Sequence, residues 1–154
     1  MGRTYQIIRI FPKMTLFENL IVVGKQKERE TIEKAMGILQ RIRLLEKKDH
    51  YASDLSFGQQ KLLSLAQVLM LDAQLILLDE PAAGINPTLQ NELMVLIHQL
   101  NEEGKTFIVV EHDMNVIMRH CQKVIALNYG QKIAEGACDL IQQDERLLEH
   151  YFGR

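Results

Sequence analysis

The sequence predicts an α/β fold built on a parallel sheet, and two apolar segments with a helical pattern between them carry this prediction. Residues 75–78 are wholly apolar, and residues 106–110 form a second apolar run that is rich in β-branched side chains. Between them, Asn86-Pro87 supplies a helix N-cap followed by proline at the first helical position. Strand, helix and strand in alternation are typical of a parallel α/β sheet.

The other elements follow from helix caps and from the spacing of apolar residues. Thr15 to Glu18 and Ser56 to Gln59 have capping-box spacing, which predicts helices over 15–23 and 56–70, with a loop over 1–12. Residues 31–45 have the apolar spacing of an amphipathic helix. A charged connector is predicted over 24–30, and a strand buried on both faces over 75–78. The helix over 86–104 ends at Gly104, a hairpin follows over 123–135, and short closing helices are predicted from 139 onward.

Composition limits the class of protein. The 154 residues, 47% hydrophobic, are enough for one core and suggest one domain. Eighteen Lys and Arg against 20 Asp and Glu leave no broad basic surface, so no nucleic-acid partner is expected. Cys121 and Cys138 have no metal-ligand spacing, which favours free thiols in a reducing compartment. With no apolar segment near the roughly 20 residues of a membrane span and no secretory signal, a cytoplasmic location is expected, with membrane contact through a partner.

Reactive side chains follow both predicted strands. Ligands of open α/β sheets bind at the carboxyl ends of the strands. Asp79 and Glu80 follow the first strand, where one carboxylate can reach Mg²⁺ and the other a water. His112 follows the second strand and could contact a terminal phosphate. Solvated acids at a strand end and a structural histidine are the alternatives.

Leu55-Ser56-Phe57-Gly58-Gln59-Gln60 offers a third candidate site. The segment places a serine, a glycine and unpaired backbone amides at a helix N-terminus, which favours an anion. Simple helix capping is the alternative.

Five motifs in one order resemble those of ABC ATPases and cover nearly the whole chain. Residues 55–60 are similar to the signature motif, usually written LSGGQ, and residues 75–80 to Walker B. Ala83-Gly84-Ile85-Asn86-Pro87 resembles the D-loop. His112 resembles the switch histidine, and Gln6 resembles the Q-loop glutamine. Asn86 stands where the general D-loop has aspartate, which puts in doubt any role there that needs a charge.

Finer features resemble one type of importer within this family. Phe57 stands where most members have glycine. The sequences of residues 82–87, 111–114 and 149–153 resemble those of branched-chain amino acid importers. Importers of amides or urea share some of these features.

The resemblance implies an incomplete P-loop NTPase sheet with an inserted helical subdomain. It implies a partial ABC ATPase domain over 1–154, divided into a Q-loop at 7–12, a helical subdomain at 13–54 that docks on a membrane permease, and the other motifs at 55–154. The implied cofactors are ATP and Mg²⁺. The implied location is the inner face of the cell membrane, reached through the permease.

It also implies residue roles. Asp79 would order Mg²⁺, Glu80 would polarise the attacking water, and His112 would sense or stabilise the γ-phosphate. Gln6 would touch the metal or the water. In the signature motif, Ser56, Gly58 and Gln59 would contact the nucleotide of a second ATP-binding subunit. The two subunits would form a homo- or heterodimer.

No GxxxxGK[ST] phosphate loop occurs in these residues. Gly104-Lys105-Thr106 is a near match, but Gln99 stands where the first glycine would be, and the triplet precedes a strand. We therefore expect the isolated chain to be inactive, to expose a sheet edge and apolar surface, and to associate. The functional hypotheses are an importer ATPase fragment, a non-hydrolysing module that donates its signature motif to a complete partner, and an ABC ATPase of DNA repair or translation.

Overall fold

The computed structural model describes residues 1–4, 8–25 and 28–141, and the chain forms two compact units, Met1–Val110 and Glu111–Arg154. The mixed α/β class with a parallel sheet is confirmed. In the described parts of the chain, no helix is both long enough and apolar enough to cross a membrane.

The helices of the first unit begin where the sequence places their caps. Thr15 and Ser56 each form a complete capping box, and the Asn86 side chain accepts a hydrogen bond from the Leu89 amide. The helices are α1, Leu16–Ile21; α2, Glu28–Arg41; α3, Phe57–Met70; and α4, Pro87–Glu102. Two short 3₁₀ helices, Leu45–Lys47 and Ala52–Asp54, lie between α2 and α3.

Helix α2 differs from its prediction at both ends. It starts at Glu28, inside the segment that was predicted to be a connector, and it ends at Arg41 instead of residue 45. Arg43 has a φ of 58° in the left-handed region, which stops a right-handed helix. Leu44 then occupies the N-cap position of the 3₁₀ helix that follows, which is a separate turn. The apolar spacing after Arg41 belongs to this separate turn.

A three-stranded parallel sheet completes the first unit. Its strands are β1, Gly2–Arg3; β2, Leu75–Asp79; and β3, Thr106–Val110, in the order β1-β2-β3. The loop prediction is wrong at Gly2 and Arg3, which pair with Ile76 and Leu77. A two-residue strand has no periodic pattern of its own, and only its partner reveals it.

Only one face of β2 is fully buried. Ile76 and Leu78 are buried, while Leu75, Leu77 and Asp79 are half-buried, so the prediction of a strand buried on both faces is wrong. In β3, Ile108 is 49% exposed and Val110 is 56% exposed. The expected apolar surface is thus present on this sheet.

A buried polar cluster joins the segment before α1 to helix α3. Asn19 is fully buried; its side-chain oxygen accepts from the Phe11 amide at 2.8 Å and from Gln67 Nε2 at 3.3 Å. Its Nδ2 donates to the carbonyls of Phe11, Met14 and Thr15 at 2.9, 3.3 and 2.9 Å. The Asn19 side chain therefore bonds the backbone of an irregular segment that has few hydrogen bonds within itself.

The second unit is a hairpin flanked by two short helices. Its described elements are α5, Met114–His120; β4, Lys123–Asn128; β5, Gln131–Ala137; and α6, Cys138–Ile141. The strands are antiparallel, as predicted, and Tyr129 and Gly130 both have positive φ, as a tight hairpin turn requires. Helix α5 was not predicted, although Asp113 caps it. The closing helices are observed only as α6, since the predicted ones after it lie outside the described residues.

Both cysteines of this unit are free, as the sequence analysis expected. The Cys138 thiol donates to the Cys121 carbonyl at 2.7 Å. Burial raises the pKa of the Cys121 thiol and of the Cys138 thiol above their ordinary values. Both are therefore in the less reactive protonated form at neutral pH.

Candidate active site

Asp79 is the last residue of β2, at the carboxyl end of the parallel sheet. Arg3 lies beside it, with Nη2 3.4 Å from Oδ2, and the Asp79 side chain is 31% exposed. The Thr4 hydroxyl accepts a hydrogen bond from the Asp79 amide at 3.4 Å and donates to the Leu77 carbonyl at 3.5 Å. Asp79 is thus fixed by its backbone, and its carboxylate is partly open to solvent.

Glu80 follows in a conformation that is rare for a glutamate. Its φ is 46°, in the left-handed region, and such residues concentrate at functional sites. Its amide donates to the Val110 carbonyl at 2.9 Å, and the Ala83 amide donates to its carbonyl at 3.2 Å. The chain therefore turns sharply directly after β2, while Glu80 stays bonded to the end of β3.

A small cavity lies against both carboxylate residues. Its volume is about 20 Å³, and its lining includes Asp79, Glu80 and Lys61. Its exposed lining is mostly apolar, so the cavity does not by itself form a water site. It is also far too small for a nucleotide.

The signature-like segment forms a capped helix start. The Ser56 hydroxyl accepts from the Gln59 amide at 3.4 Å, and Gln59 Oε1 accepts from the Ser56 amide at 3.2 Å. The capping alternative is therefore observed. It does not exclude anion binding, because the Ser56 hydroxyl hydrogen can still be donated and Ser56 is exposed.

Gly58 has a packing role that the sequence did not reveal. It is buried, and a Cβ atom there would overlap the Leu89 side chain and lie 3.2 Å from Ile85 Cγ2. The glycine allows α3 to pack closely against the start of α4.

Phe57 and Gly84 bring the signature-like segment against the D-loop-like segment. Phe57 is 51% exposed, and a Cβ at Gly84 would lie 3.1 Å from the Phe57 ring. Gly84 has a φ of 72°, where a side chain would also be strained. These two motifs of the chain therefore touch.

Lys61 is a site residue that the sequence analysis missed. Its ammonium donates to the carbonyls of Glu80, Pro81 and Ala83, at 2.7, 3.3 and 2.6 Å. The available signal was that Lys61 is the only charged residue in α3.

Two predicted site residues are not brought together with the others by the described structure. His112 is an exposed residue of the second unit, two positions after β3 ends, and its placement near the carboxylates stays a prediction. Gln6 lies outside the described residues.

Comparison with known proteins agrees with the motif analysis. Residues 1–83, just over half of the 154, match the family model described as ABC transporter. A probable branched-chain amino acid transport ATP-binding protein, LivG of Archaeoglobus fulgidus, is 33% identical over 166 residues. That alignment covers 98% of this chain and 65% of the relative, so the chain spans about two thirds of the relative's length.

Solved structures show the same fold. MJ1267, an ATP-binding cassette of an ABC transporter, superposes with a TM-score of 0.86 at 29% identity, over 97% of this chain and 67% of that one. A dimeric post-hydrolysis structure of the cassette MJ0796, bound to ADP and Pi, gives 0.77 at 28% identity, over 89% of this chain and 62% of that one. Sequence and structure therefore agree, and the chain belongs to the ABC transporter family, among its ATP-binding subunits.

Proposed function

We propose that this chain carries the signature, Walker B and switch motifs of an ATP-hydrolysing subunit that drives import of branched-chain amino acids. The observation that carries the proposal is the pair of carboxylates at the end of β2. Asp79 and Glu80 adjoin a cavity of about 20 Å³, and Glu80 has a φ of 46°. The name of the Archaeoglobus fulgidus relative supports the class of solute.

The residues present fit a magnesium-bound nucleotide. The described residues contain no cluster of three or more His, Cys, Asp and Glu side chains that could hold a metal unaided. Mg²⁺ in nucleotide sites is held by one or two carboxylates together with phosphates and water, so a single partly exposed carboxylate such as Asp79 is the expected protein ligand. When bound, Mg²⁺ neutralises phosphate charge.

Glu80 is the proposed general base. A carboxylate can accept a proton from a water molecule as that water attacks a phosphate. In this proposal Gln6 contacts the metal or the water, and His112 contacts the γ-phosphate.

The signature segment is proposed to serve a second subunit's nucleotide. The Ser56 hydroxyl, the Gly58 amide and the Gln59 side chain are the proposed contacts, at a helix start whose dipole favours an anion. The dimeric state of the neighbour MJ0796 supports this arrangement. Residues 13–54 are proposed to dock on a permease, which holds the protein at the inner face of the membrane.

Calorimetry tests the proposal. We expect the 154 residues alone to bind ATP weakly and not to hydrolyse it, since they contain no phosphate loop. A longer version, with the preceding Walker A segment of the Archaeoglobus fulgidus relative joined before Met1, should bind and hydrolyse ATP.

In that longer version, Glu80→Gln should retain ATP binding while turnover falls by roughly 100- to 10,000-fold. Unchanged turnover would remove Glu80 from the role of base. If the longer version binds ATP but never hydrolyses it, and instead stimulates a complete partner, the chain is a module that donates its signature motif.

A further inference from the structure

Lys61 lies where its ammonium group contacts the backbone of the turn that follows β2. It lies on the half-buried side of α3, one turn after the Ser56 cap, and the other residues of α3 are uncharged. Its ammonium donates to the carbonyls of Glu80, Pro81 and Ala83, at 2.7, 3.3 and 2.6 Å. An ammonium has three donors and no acceptor, so its bonding capacity matches this set of carbonyls.

An aromatic ring also lies close to the ammonium. Lys61 Nζ lies 5.4 Å from the centroid of Phe57. A cation at this distance from a ring is attracted by the ring's quadrupole. Phe57 therefore favours the same position of Lys61 as the carbonyls do.

The carbonyls belong to the turn that gives Glu80 its conformation. Glu80 has a φ of 46°, which costs free energy for any residue other than glycine. The bond from the Ala83 amide to the Glu80 carbonyl closes this turn, at 3.2 Å. Three carbonyls that converge on one point repel each other unless a cation lies between them, and Lys61 supplies that cation.

We propose that Lys61 is a positioning residue that holds the turn 80–83, and through it the left-handed backbone of Glu80, in the arrangement needed to activate water. The catalytic half of this statement rests on the proposed role of Glu80. The structural half, that Lys61 orders this turn, is independent of it.

Hydrogen exchange of the 154-residue chain tests the structural half. Lys61→Met keeps the aliphatic stem and removes the charge and the donors, so the amides of residues 80 and 82–84 should exchange roughly 10-fold faster or more, while α1 and α4 stay unchanged. Lys61→Arg retains charge and donors and should recover most of the protection. Lys34→Met is the matched control, because Lys34 also donates from a helix to a backbone carbonyl, that of Met70 at 2.9 Å.

Equal exchange of the amides of residues 80 and 82–84 in wild type and Lys61→Met would overturn the proposal. So would an equal increase in Lys34→Met, since the effect would then be global. If Lys61→Met does not fold, Lys61→Gln, which keeps a neutral donor, should show a smaller but local increase, and unchanged exchange in it would count equally against the proposal.

Steady-state kinetics of the longer, Walker A-containing version test the catalytic half. Lys61→Met should lower kcat roughly 10- to 100-fold with little change in KM for ATP, as a displaced catalytic group does. Lys61→Arg should restore most of kcat. A normal kcat in Lys61→Met, alongside a strong loss in Glu80→Gln, would overturn the positioning role alone. A normal kcat in Glu80→Gln would instead reject the proposed base, and the exchange result would still decide whether Lys61 orders the turn.

Discussion

Replacing Asn19 with leucine should destabilise the first unit, because Asn19 is fully buried and bonded on all sides of its amide. Leucine has the same number and branching of heavy atoms, so the change removes hydrogen bonds without leaving a cavity. It would break the bonds to the Phe11 amide and carbonyl, to the Met14 carbonyl and to Gln67 Nε2. The three carbonyls keep a partner, because the backbone amides of Met14, Ala52 and Asn19 also donate to the carbonyls of Phe11, Met14 and Thr15, at 3.1, 3.0 and 2.9 Å. Gln67 Nε2 keeps its bond to the Asn19 backbone carbonyl, at 3.4 Å.

The magnitude follows from these four bonds. A typical intramolecular hydrogen bond contributes about 1 kcal/mol net, so the loss of four bonds in Asn19→Leu should cost roughly 3–4 kcal/mol. For a chain of this length, 1 kcal/mol corresponds to about 2–4 °C in Tm, so the shift should be roughly 6–16 °C.

Urea and thermal denaturation followed by circular dichroism measure this change. Among the described helices, all the long ones lie in the first unit, so the helical signal follows its unfolding. Asn91→Leu, an equivalent change at an exposed position of α4, is the control and should change stability by less than about 0.5 kcal/mol. If Asn19→Leu shifts the midpoint no more than Asn91→Leu, the buried amide does not stabilise the segment before α1.

Three further predictions concern the turn, the cap and the hairpin. Gly84→Ala should cost roughly 1–2 kcal/mol in thermal denaturation because φ is 72°, and adding Phe57→Ala should recover only the steric part. Ser56→Ala should cost about 1 kcal/mol of stability, and Ser56→Asn should retain the cap; equal losses in both would contradict a capping role. Hydrogen bonding to Lys123 holds the pKa of Glu135 at about 2, below 4.5, so its stabilisation is complete above pH 4.5 and is lost as pH falls towards 2. An NMR titration of Glu135 should show this midpoint, and Lys123→Met should raise it.

Most of the correct fold predictions came from patterns within a few residues, such as helix caps and the ends of apolar runs. Thr15, Ser56 and Asn86 cap helices through bonds to residues three positions later, which the sequence shows directly. The carboxylates at the end of β2 were also predictable, because an apolar run that stops at Asp79 places them at the carboxyl end of a strand.

Contacts between distant residues account for what the sequence did not reveal. Strand β1 exists only through its pairing with β2, more than seventy residues later. Lys61 contacts carbonyls about twenty residues further along, and a sequence does not show where carbonyls point. The left-handed backbone of Glu80 likewise depends on tertiary context and has no glycine to indicate it.

The close approach of α3 and α4 affects how substitutions in the signature segment should be interpreted. A methyl group at position 58 and a leucine at position 89 compete for the same space, so these positions should covary in size whether or not a nucleotide is bound. Loss of activity in Gly58→Ala alone would mix a packing fault with a lost phosphate contact. Combining it with Leu89→Ala removes the larger overlap and leaves the 3.2 Å approach to Ile85 Cγ2. A loss of activity in the double variant beyond that of Leu89→Ala alone, without a further loss of stability, would point to the nucleotide contact.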